Sequence, residues 1–220
     1  SWESHQGEEG GQSEASVFLR TAFCEGDFGS LFPDLDPKGT KFVDYGFSVG
    51  RQRIHFQEGI MINDVLDSVG LVRNNMHATG LSNIRATGVY SWGSIDRGTP
   101  ANRQRLNRPG GLFGMFLQAD NPTTTWALDS IYIDDPDVFA GGDTINIGLA
   151  ASQRAWTPWS RLGNFNTAYR INASFADEAD NELSSDGILV SAEISWTPHS
   201  SDDVVYINPF YGFDRFTQAS

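Results

Sequence analysis

The most suggestive chemical spacing in this 220-residue chain is Gly46-Phe47-Ser48-Val49-Gly50, which has the Gly-x-Ser-x-Gly form of a hydrolase nucleophile elbow. An elbow needs a strand, a tight turn and a helix, with an acid and a histidine later in the chain. Here apolar and polar residues alternate straight through Ser48 and on to Phe56, which leaves no room for the turn. The four histidines (His5, His55, His77, His199) are scattered. The match reads as chance, no catalytic residue is assigned, and the chain is not expected to be an enzyme. Asp34-Leu35-Asp36-Pro37-Lys38-Gly39 begins like a calcium loop but lacks the later bidentate Glu. Acidic clusters at Asp134, Asp135 and Asp137, at Asp177, Glu178, Asp180 and Glu182, and at Asp202 and Asp203 carry the oxygen ligands that Ca²⁺ or Mg²⁺ prefer. Solvated loops of an acidic protein explain them more simply, so no metal and no cofactor are assigned. No carboxylate pair can be set across a cleft from spacing, so glycoside hydrolysis has no positive support.

The basic residues are lopsided. Of 15, only Lys38 and Lys41 are lysines and the rest are arginines. Arginine suits a confined site, because its planar fork holds carboxylates or phosphates in fixed geometry. Arg97, Arg103, Arg105 and Arg108 share one polar stretch, which could draw anionic solute to a pore mouth. Internal pairing with the abundant acids is the favoured reading of that stretch. The net charge of -13 argues against nucleic acid as a partner, and against attraction to an anionic membrane surface. It says nothing against insertion into a membrane. Cys24 is the only cysteine, which excludes an intrachain disulfide and a cysteine-rich zinc site.

The elements that would position these side chains have a period of two. Val43, Tyr45, Phe47 and Val49 share one face; Ile145, Ile147, Leu149 and Ala151 another. Phe165, Tyr169, Ile171, Ala173 and Phe175 repeat the pattern, as do Ile188, Val190, Ala192, Ile194 and Trp196. Weaker segments follow the same rule at residues 17–23, 54–56, 84–92, 112–119, 126–133 and 205–213. About ten strands are expected, joined by turn-rich stretches into hairpins. A polar arm spans residues 1–15, and the strands and loops fill 16–220.

The polar faces decide which side meets water. They hold Gly, Ser, Asn, Thr and Ala rather than the Lys and Glu of a solvated strand. Small polar residues suit the inside of a barrel, and the apolar faces would then meet lipid. Tyr90, Trp92, Trp126, Trp156, Trp159, Trp196 and Tyr211 fall near strand ends, where interfacial girdles form. The expected fold is all-β, an antiparallel up-and-down transmembrane β-barrel that need not be complete within these residues. Met61, Ile62, Val65, Leu66 and Val69 recur at helical spacing, which predicts a short helical or folded loop inserted near residues 58–70. Such an insertion could narrow the lumen, with Asn63, Asp64 and Asp67 on its polar side, or simply pack on itself at the surface.

The run Gly50-Arg51-Gln52-Arg53-Ile54-His55-Phe56, with Glu58-Gly59 and Asn63-Asp64, resembles the Gly-Arg-Gln strand and turn of alginate-export-type outer-membrane channels. The resemblance is close over about residues 40–75 and one of barrel texture elsewhere. It implies a porin-like barrel in the outer membrane of a Gram-negative-type bacterium, passing polar or anionic, saccharide-type solutes. Arg51 and Arg53 match the motif and are expected to line the pore; Arg85, Arg170 and Glu193 join them by strand parity. Members of that family are considerably longer, and residues 216–220 lack the terminal aromatic of a bacterial barrel, so the expectation is the N-terminal part of a larger barrel. Outer-membrane lipid, lipopolysaccharide and an envelope protein are the partners this implies. Two other readings stay open: a secreted β-sandwich that binds polysaccharide, and an outer-membrane barrel with a scaffolding role and no transport.

Overall fold

The alternation is realised as one antiparallel sheet. The structure is a computed structural model and describes residues 20–35, 37, 44–98, 105–135, 142–157, 163–177, 185–199 and 203–219. The polar arm, Trp159, Arg103, and Asp137, Glu178, Asp180, Glu182 and Asp202 lie outside the described residues. The strands are β1 (Ala22–Asp27), β2 (Tyr45–Phe56), β3 (Ile62–Ala78), β4 (Leu81–Gly98), β5 (Arg105–Asp120), β6 (Thr124–Asp134), β7 (Thr144–Trp156), β8 (Asn164–Ala176), β9 (Gly187–Thr197), β10 (Val205–Ile207) and β11 (Phe210–Asp214). They pair in sequence order, up and down, and the sheet is not closed. No second sheet is present among the described residues.

β10 and β11 are one strand in all but name. Val205 pairs Trp196, Ile207 pairs Ile194, Phe210 pairs Ser191 and Asp214 pairs Gly187, all in a single register along β9. Pro209 has no N–H for the ladder, yet its carbonyl accepts from Ala192 N at 2.9 Å. The expected strand at 205–213 is therefore present. The expected insertion is not: from Ile62 onward the chain is β3, the partner of β2 over its whole length. Only Gln57–Met61 leaves the ladder, as a tight turn whose first three residues lie in the left-handed region (φ 54°, 55° and 80°) and which Ile60 N closes on Gln57 O.

Two hairpin turns at one end are short. Residues 79–80 join β3 to β4, with Gly80 in the left-handed region (φ 85°) that a tight hairpin demands. Residues 121–123 join β5 to β6, where the Asn121 side chain accepts from Thr123 N (3.0 Å) and Thr124 N (2.6 Å). The connections at residues 28–44, 157–163 and 198–204 lie at the same end, and those at 57–61, 99–104, 135–143 and 177–186 at the opposite one.

The sheet curls enough that Glu25 of β1 and Arg170 of β8 line one pocket. Register fixes which residues share each face. On the convex side Leu117, Leu128, Leu149, Ile171, Val190 and Tyr211 form one row across six strands. They are between 37% and 62% exposed. Tyr90, Trp92, Trp126 and Trp196 stand on the same side by strand parity. On the concave side the buried apolar side chains gather toward the end of the turn Gln57–Met61: Ile54, Met61, Ile62, Leu66, Val89, Ile95, Leu112, Phe116, Ile131 and Ile133. The usual order of a water-soluble sheet is inverted, since the larger apolar face is the open one.

Candidate functional site

The concave face is divided into two halves. Nearer the short turns its register rows are polar. Arg85, Gln118, Ala127, Ala150 and Arg170 are successive cross-strand partners from β4 to β8. The next row is Asn83, Asp120, Thr125, Ser152, Ala168 and Glu193. The small residues between the two arginines leave a pocket of about 1020 Å³, lined also by Gln52, Thr87 and Arg154. Arg170 is nearly buried and lies 3.6 Å from both Glu58 and Glu193. Arg85 is exposed and has no carboxylate partner among the described residues.

The other half is filled by two segments of the chain. The turn Gln57–Met61 folds inward from the end of β2. Its Gln57 amide donates to Asp129 Oδ2 at 2.5 Å, and Met61 is fully buried. Phe56, just before it, stacks on Phe116 of β5 with ring centroids 3.3 Å apart. The segment Arg215–Ala219, after β11, lies on top of this turn. Ala219 N donates to Met61 O (3.0 Å) and Gln218 Nε2 to Gly59 O (3.3 Å). The wall holds the segment through Asn146 Nδ2, which donates to Thr217 O, and Ser174 Oγ, which accepts from Thr217 N.

Polar groups beneath the turn are poorly served. Both side-chain polar atoms of Asn172, Asn146 Oδ1 and Gln57 Oε1 are buried without a hydrogen-bond partner among the described residues. Each such atom costs on the order of 1–3 kcal/mol relative to a satisfied one. Amides at these wall positions suit contact with water better than contact with Met61.

Three of the five expected pore-lining residues, Arg85, Arg170 and Glu193, do face the concave side. Arg51 and Arg53 do not: they share the strand face of Val49 and Val69. Arg51 Nη1 donates to Asp67 Oδ2 at 3.1 Å. Arg53 borders the concave pocket, but its guanidinium is held by Asn63 Oδ1 on the convex side, at 3.1 and 2.8 Å. The expected constriction residues Asn63 and Asp67 therefore serve as partners of those arginines. Asp64 falls on the concave parity of β3 and binds its neighbour's amide, Val65 N, at 2.6 Å. The reason is β3 itself: as a strand it sends alternate residues to opposite faces, where a helix would have grouped them. The segment that does fill the concave face is Gln57–Met61, one turn upstream.

Arg154 was legible by parity with Ala150 and Ser152 but was not singled out. Gln57 and Asp129 had no signal, because their contact spans 72 residues. Ser48 of the elbow-like motif is in mid-strand, paired across to Gly70, with no turn after it. Among the described residues no group of three or more His, Cys, Asp or Glu side chains is placed to hold a metal ion. Compared with protein-family models, with curated proteins and with solved structures, the chain has no match in any of the three.

Proposed function

We propose that this chain forms the wall of a transmembrane β-barrel of the outer-membrane type, with the concave face as lumen, and that it passes small polar or anionic solutes. One observation carries the reading: the open convex face is lined by exposed apolar side chains, while the enclosed face is polar over one half and apolar only toward the turn Gln57–Met61 and the segment Arg215–Ala219. In water each half-exposed Leu, Ile or Phe of the convex face forgoes on the order of 1 kcal/mol, and contiguous patches of this extent are avoided by soluble monomers. In lipid the same face is the favourable one, and only closed β-structure or helices satisfy their backbones there.

The distribution of aromatics agrees. Trp126 and Trp196 stand toward the short-turn end and Trp92 and Tyr132 toward the other, as two girdles would. The likeness to alginate-export-type channels supports the reading as far as the strand and turn of residues 50–64 go. Arg85, and not the arginines of that motif, faces the concave side from β4 with no carboxylate partner among the described residues.

Cell fractionation tests the proposal, followed by gel mobility before and after boiling and conductance in planar bilayers. Recovery only from the outer-membrane pellet with detergent, a heat-dependent mobility and discrete conductance steps are expected. A protein that stays monomeric in buffer without detergent would remove the basis for the lipid-facing assignment.

A further inference from the structure

We propose that the turn Gln57–Met61, with Gln218 and Ala219 bonded to it, forms a removable plug of the lumen, latched by Gln57 on Asp129 and by Glu58 on Arg170. The inference rests on the channel reading and adds a gate to it.

Four features of the turn mark it as a part that leaves. Its backbone is strained: Gln57 (φ 54°) and Glu58 (φ 55°) are consecutive non-glycine residues in the left-handed region, followed by Gly59 at φ 80°. Such conformations persist only where surrounding contacts impose them, and they cluster at switching elements. Its seat is poor, because it buries the Asn172 amide and Asn146 Oδ1 without partners, and withdrawal would return them to water. Its latch is replaceable: Arg170 lies 3.6 Å from Glu193 as well as from Glu58, so release of the turn leaves no orphaned cation. Finally, the flexible tip of its apolar pin, Met61, rests over Gly148, where a side chain would displace it. A Cβ there would lie 2.7 Å from Met61 Cε and 2.5 Å from Asn172 Oδ1.

The turn and residues 218–219 move as one body. Ala219 and Gln218 bond the turn's own carbonyls, whereas residues 215–217 are tied to the wall: Arg215 N donates to Asp186 O, Ser185 N to Thr217 Oγ1, Thr217 N to Ser174 Oγ and Asn146 Nδ2 to Thr217 O. Residues 215–217 therefore stay on the wall as the hinge, and the turn with Gln218 and Ala219 is the part that swings out. In the closed state the polar pocket of Arg85 and Arg170 is a blind vestibule; in the open state it continues into the far half of the lumen.

The test combines thiol labelling with bilayer conductance on the full chain, in a Cys24→Ser background carrying Asn172→Cys as the reporter. Asn172 is fully buried and makes no hydrogen bond, so the reporter removes none. A charged, water-soluble methanethiosulfonate is the probe. Slow labelling is expected with the latch intact. In the Gln57→Ala/Glu58→Ala variant it should be about tenfold faster, equivalent to about 1.4 kcal/mol of opening free energy, with a matching rise in open probability. Gly148→Leu, which fills the seat of Met61, should give the same two changes by a separate route. Fast labelling with the latch intact, or slow labelling in both variants while the channel conducts, would overturn the plug. Accelerated labelling without conductance in any variant would keep the plug and defeat the channel reading.

Discussion

Arg85, Arg170 and Arg51 are the same residue type in three electrostatic settings. Arg170 is held between two carboxylates, Arg51 faces Asp67 on the opposite side, and Arg85 lines the concave pocket with no carboxylate partner among the described residues. An unneutralised cation at a confined, low-dielectric wall sets the sign of the local potential. Arg85→Glu is therefore expected to shift the reversal potential in a salt gradient toward cation preference. Arg51→Glu should leave it unchanged, and equal shifts in the two variants would contradict the assignment of faces. The pair that Arg51 makes is about two-fifths exposed on both sides and contributes at most about 1 kcal/mol. Asn75 offers a second residue-level test. It sits at φ 55° in the irregular part of the β3–β4 ladder and donates to Asp44 Oδ2 at 2.6 Å. A β-branched residue is excluded from that conformation, so Asn75→Val should cost about 1–3 kcal/mol in unfolding experiments in detergent. Asn75→Gly should lose less.

Parity at this scale was readable before any fold was known. Val43, Tyr45, Phe47 and Val49 already place the odd residues of that strand on the apolar side, and Arg51 and Arg53 are odd. A motif likeness drew them to the lumen against that parity, and the structure sides with parity. Gln57 and Asp129 are another matter: no local pattern predicts a contact between a turn and a strand four strands away.

Among the elements, β3 shows where periodicity stops being informative. Ile62 and Leu66 face the concave core while Val65, Val69 and Leu71 face outward. A strand apolar on both faces has no alternation, and its apolar residues then fall by coincidence at helical spacing. Where one face stayed polar, as in β7, β8 and β9, the strands were legible almost to their ends. β1 depends on a glycine. Gly50 has φ 127°, and a Cβ there would lie 2.4 Å from Ala22 O in the partner strand. Gly50→Ala is expected to loosen β1 from β2 at a cost of about 1–3 kcal/mol, seen as lost amide-exchange protection at residues 22–27 with the remaining ladders intact. Protection lost throughout the sheet would mean that β1 is integral to it. Adjacent positions in β6 separate the faces: Leu128→Arg should destabilise the protein in bilayers by about 2–4 kcal/mol, and Ala127→Arg by much less. In a water-soluble sheet the order would be reversed.

For the molecule as a whole, the central claim is that the convex face meets lipid. Sequence alternation supplied the two faces, but which of them is enclosed depends on the curl of the sheet, and that no local pattern reports. The most direct measurement is lipid quenching along β6 after reconstitution into vesicles. Single cysteines at 126, 127, 128, 131 and 132, in a Cys24→Ser background, would each carry an environment-sensitive fluorophore quenched by brominated acyl chains. The predicted result is strong quenching at 126, 128 and 132 and little at 127 and 131. Uniform weak quenching, or the strong signal at 127 and 131, would contradict the account.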